Sequence, residues 1–323
     1  MCAKIKVGIT QGDAAGIGPE VVAKALEDPR MAELCTPAVY KYGGTFEPGA
    51  PTSESGAVAV KALKDAVADL RKGAIDVVVT GPISKANSRS DDFPYEGHTE
   101  FMAAEFGGSE GATPLMMMCS HALRVALVTS HIAIADVPEA ISKQKIVDKL
   151  RILDHRLKAD FGVVAPRIAV LALNPHAGEG GMMGTDEAEV IKPAVDQAYG
   201  EGILAFGPLP ADGLFVSGEY RKYDALLAMY HDQGLAPFKA LAPDGVNFTA
   251  GLPVIRTSPD HGTAFDIAGR DEANADSMRN AIYMAVDIHR NRAAYAEMTR
   301  NPLKHYERER GDERTIDFSK SEM

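Results

Sequence analysis

The chain has 323 residues, 46% hydrophobic and 24% charged, enough for two modest domains or one elaborated soluble domain with a sizeable core. A formal net charge of −11 argues against nucleic-acid binding through bulk charge, and an anionic small substrate would need cations placed locally. Three cysteines, Cys2, Cys35 and Cys119, form no CxxC pair, which argues against a zinc ribbon, a thioredoxin-type motif or a disulfide framework.

The opening residues Met1 to Lys6 lack the apolar core of a signal peptide, and no apolar run reaches membrane-spanning length, so a reduced, cytoplasmic protein without a membrane partner is expected. Ile5–Thr10 reads as a strand, and Pro19–Leu26 as the start of a helix. Ser55–Arg71 carries Ala59, Leu63, Ala66, Val67 and Leu70 at helical spacing. Ile75–Thr80 is a continuous apolar strand, as expected when both faces are buried. Glu100–Phe106 is helical, Leu115–Cys119 and Val125–Thr129 are strands, and Ile141–Phe161 is a long helix. Strand Ile168–Leu173, helix Asp186–Gly200, strand Ala225–Tyr230 and helix Asn274–Tyr295 follow. Tyr42 to Ser55 is rich in Gly, Pro and Ser and reads as loop. From Asn301 the chain is a charged, solvated tail. Strands alternating with helices predict an α/β fold with a largely parallel sheet, whose ligands bind at the carboxyl ends of strands.

Three histidines occupy such positions: His131, His176 and His231, each closing an apolar strand. Imidazoles converging there would suit a catalytic metal with open positions, whereas each taken alone is as well read as a structural residue. In the run Asn174 to Gly181, glycines permit close backbone approach and Pro175 stiffens the turn that aims His176. Asp232 either orients His231 or serves as a turn residue. His98-Thr99-Glu100 opens a helix, with Thr99 either the N-cap or, with His98, a donor pair for an anion. Lys239, Asn247 and Arg256 supply the local cations and a neutral donor that a phosphate or carboxylate needs, or lie on the surface. Gly12 to Glu20 is glycine-rich but has neither GxGxxG spacing nor a Walker lysine. Ser258 to Gly269 is either a plain loop or an adenosine cradle, with Asp266 accepting from ribose and Gly262 and Ala264 allowing close approach. His121, His155, His289 and His305 are assigned to surface or packing.

From Ile5 to about Arg292 the chain resembles the 4-hydroxythreonine-4-phosphate dehydrogenase family of pyridoxal phosphate biosynthesis. Gly97 to Phe101, Leu173 to Gly181, Ala228 to Leu235 and Gly251 to Ala264 carry the likeness. More distantly, Gly16 to Glu20 and His261 to Gly269 are similar to isocitrate and isopropylmalate dehydrogenase segments. The resemblance implies a two-lobed, isocitrate/isopropylmalate dehydrogenase-like fold with a mostly parallel sheet in each lobe and a cleft between them. Residues 1–93 and 251–300 would form the outer lobe, the second part carrying the cofactor loop. Residues 94–250 would form the central dimerisation and metal-binding lobe, and 301–323 the tail. It further implies a homodimer with a divalent metal (zinc, magnesium or cobalt) at the interface, held by His131, His176 and His231 with one ligand from the partner. Substrate contacts fall to His98, Thr99, Lys239, Asn247 and Arg256, and NAD or NADP contacts to His261, Gly262, Ala264 and Asp266.

The implied reaction is oxidation of 4-phosphooxy-L-threonine to 2-amino-3-oxo-4-phosphooxybutanoate, which decarboxylates to 3-amino-2-oxopropyl phosphate. Asp232, Asp212 and a metal-bound water stay open as proton acceptor. Two departures are present: Ala14 stands where the family often has proline, and Tyr42 to Ser55 is several tens of residues shorter than usual. Competing readings are a paralogous 4-phospho-threonate or 4-phospho-erythronate dehydrogenase, a phosphate acyltransferase of related architecture, and a non-catalytic metal- or phosphate-binding module.

Overall fold

Residues 4–107 and 113–303 are described by the computed structural model, so Cys2, His305 and the tail from Lys304 lie outside the described residues. The strands are β1 (Ile5–Thr10), β2 (Cys35–Tyr40), β3 (Val77–Thr80), β4 (Leu115–Cys119), β5 (Arg124–Leu127), β6 (Arg167–Leu171), β7 (Leu204–Leu209), β8 (Ala225–Ala228), β9 (Val246–Ala250) and β10 (Arg256–Pro259). The helices are α1 (Gly18–Leu26), α2 (Pro29–Leu34), α3 (Ser53–Arg71), α4 (Lys85–Ser88), α5 (His98–Phe106), α6 (Val137–Ala140), α7 (Lys143–Phe161), α8 (Lys192–Gly200), α9 (Ala211–Val216), α10 (His231–Leu241) and α11 (Asp276–Thr299).

Local chemistry sets the boundaries. Thr52 and Ser55 form a reciprocal capping box, so α3 starts at Ser53 rather than Ser55. Ser142 caps α7 through the Lys145 N–H, and Gly162 at φ 67° ends it. Ile141, expected to open this helix, is instead extended and ends the separate turn α6. β3 and β8 are buried at every position, as their unbroken apolar runs require.

The described strands form one sheet ordered β2-β1-β3-β10-β9-β4-β5-β8-β6-β7. β2, β1, β3 and β10 are mutually parallel, as are β5, β8, β6 and β7. Between these sets, each of the steps β10–β9, β9–β4 and β4–β5 is antiparallel. The two parallel sets therefore run in opposite senses, and their carboxyl ends lie at opposite edges of a continuous sheet.

One face is covered by α1, α7, α8 and α11 over a long apolar core. Across it, the buried Asp160 of α7 takes a bidentate grip from Arg292 of α11, with Oδ1–Nε 2.6 Å and Oδ2–Nη2 3.2 Å. The other face carries two separate clusters. Leu63, Val78, Phe101 and Met102 pack under α3 and α5; Met118, Leu127, Leu235 and Phe238 pack under α10. Arg256 is in register with Val78 of the first cluster, and Asn247 with Met118 of the second. The gap between the clusters is thus floored by β9 and β10.

Candidate active site

His131 and His231 follow β5 and β8, which are adjacent. The ladder continues past both strands through Val128 N–H to Ala228 O at 2.9 Å and Thr129 Oγ1 to Met229 O at 2.7 Å. This keeps the two loops together and brings the imidazole centroids to 5.7 Å. His231 is the first residue of α10, and its Nδ1 lies 2.7 Å from Asp232 Oδ1. His131 Nδ1 lies 3.9 Å from Glu100 Oε1 on α5. His131 and its own backbone N–H at the helix start hold the Glu100 carboxyl below the ordinary carboxylate range, against the opposing effect of burial. Beside the pair is a cavity of about 320 Å³ lined by Ser130, Ile132, Ile134, Val137 and Tyr230.

His176 stands at the end of the next strand, β6, but does not join this pair. Among the described residues, no group of three His, Cys, Asp or Glu side chains is placed to hold a metal ion. Within one chain His176 therefore stands apart from the other two, and the reason is local. His176, Ala177, Gly178, Glu179 and Gly180 all adopt left-handed φ, between 41° and 77°, forming a tight reversed coil that holds His176 exposed. The buried Glu187 secures its base. One carboxylate oxygen accepts from Leu173 N–H at 2.8 Å and Asn174 N–H at 2.7 Å, and the other from Asn174 Nδ2 at 3.1 Å. A side chain at Gly178 would strike that second oxygen, so glycine is required there. Asp212 lies exposed in the first turn of α9, after β7. The end of β7 is tied to that of β6 by Ala172 N–H donating to Leu209 O at 2.8 Å, which sets Asp212 beside the β6 loop.

Arg256 is only 3% exposed and meets no carboxylate within ion-pair distance among the described residues. Its Nε and Nη2 donate to Thr80 Oγ1 at 3.0 and 2.7 Å, and its Nη1 donates to Thr249 Oγ1 at 3.2 Å. Burial pulls its pKa down to about 10, with the Glu100 carboxylate opposing. Next to it, His98 is held neutral, well below its ordinary pKa, by burial and then by the Arg256 charge. His98 Nε2 and Asn247 Oδ1 are both buried without a hydrogen-bond partner. His98 and Thr99 are the first two residues of α5; Gly97 holds the cap position without a side-chain bond, so the reading of Thr99 as N-cap is corrected. Lys239, in the last turn of α10, reaches Asp260 Oδ1 at 3.3 Å and so links α10 to the loop after β10. Burial raises the Asp260 pKa, with Lys239 opposing.

The loop that carries His261, Gly262, Ala264 and Asp266 packs against the glycine-rich turn after β1. Ile17 N–H donates to Thr263 O at 2.9 Å, and a side chain at Gly16 would collide with that carbonyl. Gly49 meets Phe265 O in the same way. Ala264 is held at φ 41°, Gly262 faces open space, and His261 Nε2 is buried without a partner. The turn from Gly12 to Gly18 lacks a recognised dinucleotide spacing, yet it forms the back wall of this loop.

Glu100 was not singled out from sequence. The signal was its place next to His98 and Thr99, but only the fold shows that it faces His131. No helix among the described residues is long and apolar enough to cross a membrane.

The profile of the family described as "Pyridoxal phosphate biosynthetic protein PdxA" matches residues 10–285. The chain is 45% identical over 350 residues to a 4-hydroxythreonine-4-phosphate dehydrogenase of Bacteroides thetaiotaomicron, covering 96% of each chain. That alignment is longer than the chain itself, so the relative carries residues missing here. A crystal structure of the Klebsiella pneumoniae 4-hydroxythreonine-4-phosphate dehydrogenase aligns at 32% identity with a TM-score of 0.75, over 89% of this chain and 98% of that one. An isocitrate dehydrogenase of Methylococcus capsulatus shares the fold at 13% identity and TM-score 0.55, over 92% of this chain and 89% of that one. The chain therefore belongs to the PdxA family of 4-hydroxythreonine-4-phosphate dehydrogenases, oxidoreductases of pyridoxal phosphate biosynthesis.

Proposed function

We propose that the chain catalyses the metal-dependent, NAD(P)-linked oxidation of 4-phosphooxy-L-threonine to 2-amino-3-oxo-4-phosphooxybutanoate, which loses CO2 to give 3-amino-2-oxopropyl phosphate. One observation carries this reading: the buried Arg256 guanidinium is satisfied by hydroxyls alone, beside a neutral His98 and an unpartnered Asn247 oxygen. A buried cation that the Glu100 carboxylate reaches only from beyond ion-pair distance is costly, and a substrate oxyanion in contact would offset that cost. Arg256 and Lys239 then bind the anionic groups from two sides of the gap. Neutral His98, with Thr99, offers polar contacts without adding charge, and Asn247 Oδ1 accepts from a substrate donor. Asp232 orients His231 and is occupied in doing so. His261, Gly262, Ala264 and Asp266 hold the adenosine half of the cofactor against the Gly12–Gly18 wall.

The metal ligands, in this reading, are His131 and His231 of one subunit and His176 of a second. Two chemical facts support it. Each imidazole of the pair turns Nδ1 toward a carboxylate and so keeps Nε2 available. Apolar side chains also stand exposed beside both parts, Ile132 and Ile134 by His131, and Met182 and Met183 by His176. A zinc, cobalt or magnesium ion so held supplies a Lewis acid toward the substrate hydroxyl, and the nicotinamide supplies the hydride acceptor.

The test mixes two inactive variants, His131→Ala and His176→Ala. If the site is shared, random re-pairing restores about a quarter of the parent's NADH formation, because half the dimers carry one intact site of two. No restoration would place all three ligands in one chain and overturn the shared site. The same assay with 4-phospho-threonate in place of the amino substrate, each with and without chelator, decides the substrate and the metal requirement. Equal rates after chelation would overturn the latter.

A further inference from the structure

Glu100 has a more defined setting than a surface carboxylate at a helix start requires. Its Oε1 faces His131 Nδ1 at 3.9 Å, and its Oε2 turns back over the opening of α5, 3.3 Å from the position a Gly97 Cβ would take. The helix N-terminus anchors one end of the carboxylate while the other points at the imidazole. His231 has a closer counterpart from its own helix, with Asp232 in hydrogen-bond contact with Nδ1 at 2.7 Å. Asp232 is a sequence neighbour on a largely exposed side chain, whereas Glu100 reaches His131 from a different element. A carboxylate facing Nδ1 favours the tautomer with the proton there, fixes the ring and makes Nε2 the better donor to a cation.

We propose that Glu100 is a positioning residue that holds His131 as the Nδ1–H tautomer and so presents Nε2 to the divalent cation, as Asp232 does for His231. This rests on the reading of His131 and His231 as metal ligands. It also gives α5 two tasks. The helix that carries His98 and Thr99 toward the substrate anion carries, one residue on, the group that aims a metal ligand. Seating of α5 and loading of the cation are thereby joined.

The experiment compares the full-length parent with Glu100→Ala and Glu100→Gln. Cobalt affinity is measured by competition with a chromophoric chelator, and thermal melts check the fold. Glu100→Ala weakens cobalt binding about 10–100-fold, and Glu100→Gln weakens it less, because an amide oxygen still faces Nδ1. On the metal-free protein, long-range 15N–1H spectra of histidine-labelled chain show His131 as Nδ1–H in the parent and as mainly Nε2–H in Glu100→Ala. Cobalt affinities within about twofold of the parent for both variants, or an unchanged His131 tautomer, would overturn the assignment. A parent that binds no cobalt, or a His131→Ala variant that binds it as well as the parent does, would instead remove the metal reading beneath it.

Discussion

Arg256→Met keeps most of the side chain's length and removes its charge and all of its donors. A guanidinium offers five N–H groups, and Arg256 uses three of them on Thr80 and Thr249. Two N–H groups remain, the number a bidentate oxyanion contact takes. At about 1.5–3 kcal/mol for each charge-assisted bond, their loss removes about 3–6 kcal/mol of substrate and transition-state binding. That corresponds to a fall in kcat/KM of roughly a hundredfold to ten-thousandfold. Stability should behave differently. The substitution relieves a buried, unpaired charge worth several kcal/mol of desolvation, and it leaves two threonine hydroxyls short of a partner at about 1–3 kcal/mol each. These nearly cancel, so urea denaturation should place the variant within about 2 kcal/mol of the parent. The assays are NADH formation under kcat/KM conditions and equilibrium unfolding of the same preparation. Turnover within about tenfold of the parent would refute the role given to Arg256. A loss of about 3–5 kcal/mol in stability would refute the claim that no carboxylate makes ion-pair contact with its charge.

Two further outcomes follow from the same structure. His98 is held neutral in the fold while its unfolded counterpart titrates near 6.5, so protons bind preferentially to the unfolded chain as pH falls below that value. This contribution is present above about pH 6.5 and is lost as pH drops toward the folded pKa, at up to about 1.4 kcal/mol per pH unit; His98→Gln should flatten the slope, and an identical slope in urea titrations of both proteins would sink the assignment. Asp160→Asn breaks the buried grip of Arg292 between α7 and α11 and should cost about 3–5 kcal/mol of unfolding free energy with kcat retained, because the pair lies on the sheet face away from the gap. A cost below about 1 kcal/mol would show that the clasp is dispensable.

What could be read from the chain alone was governed by burial. β5, β6 and β8 are dense apolar runs, and His131, His176 and His231 follow their carboxyl ends on neighbouring strands. β2 and β7 were missed because both are outermost strands, where Pro37 and Pro208 are tolerated and only partial burial is needed. β10 is four residues of largely polar type, Arg-Thr-Ser-Pro, and nothing in that string announces complete burial. Its arginine is buried because hydroxyls on β3 and β9 receive it, a circumstance set by pairing across 176 residues in one case. The stretch after His231 reads as irregular because Gly234 and Pro237 interrupt it, yet Leu235 and Phe238 bury one side of a helix there. The left-handed coil at His176 shows in its glycines, but the three non-glycine residues that share the conformation do not announce it.

That coil has a consequence for how substitutions at distant positions would be tolerated. His176, Ala177 and Glu179 each sit in a conformation that disfavours side-chain-bearing residues by about 1–2 kcal/mol. The opposing restraint comes largely from Glu187, which is buried and accepts from the backbone of Leu173 and Asn174. In a screen of random variants, position 187 should therefore be nearly as intolerant as position 176, with shortening to Asp as harmful as loss of charge. A residue that never meets the substrate would carry the same mutational signature as one that acts on it, and a map of intolerant positions would overstate the size of the chemical site by its scaffolding.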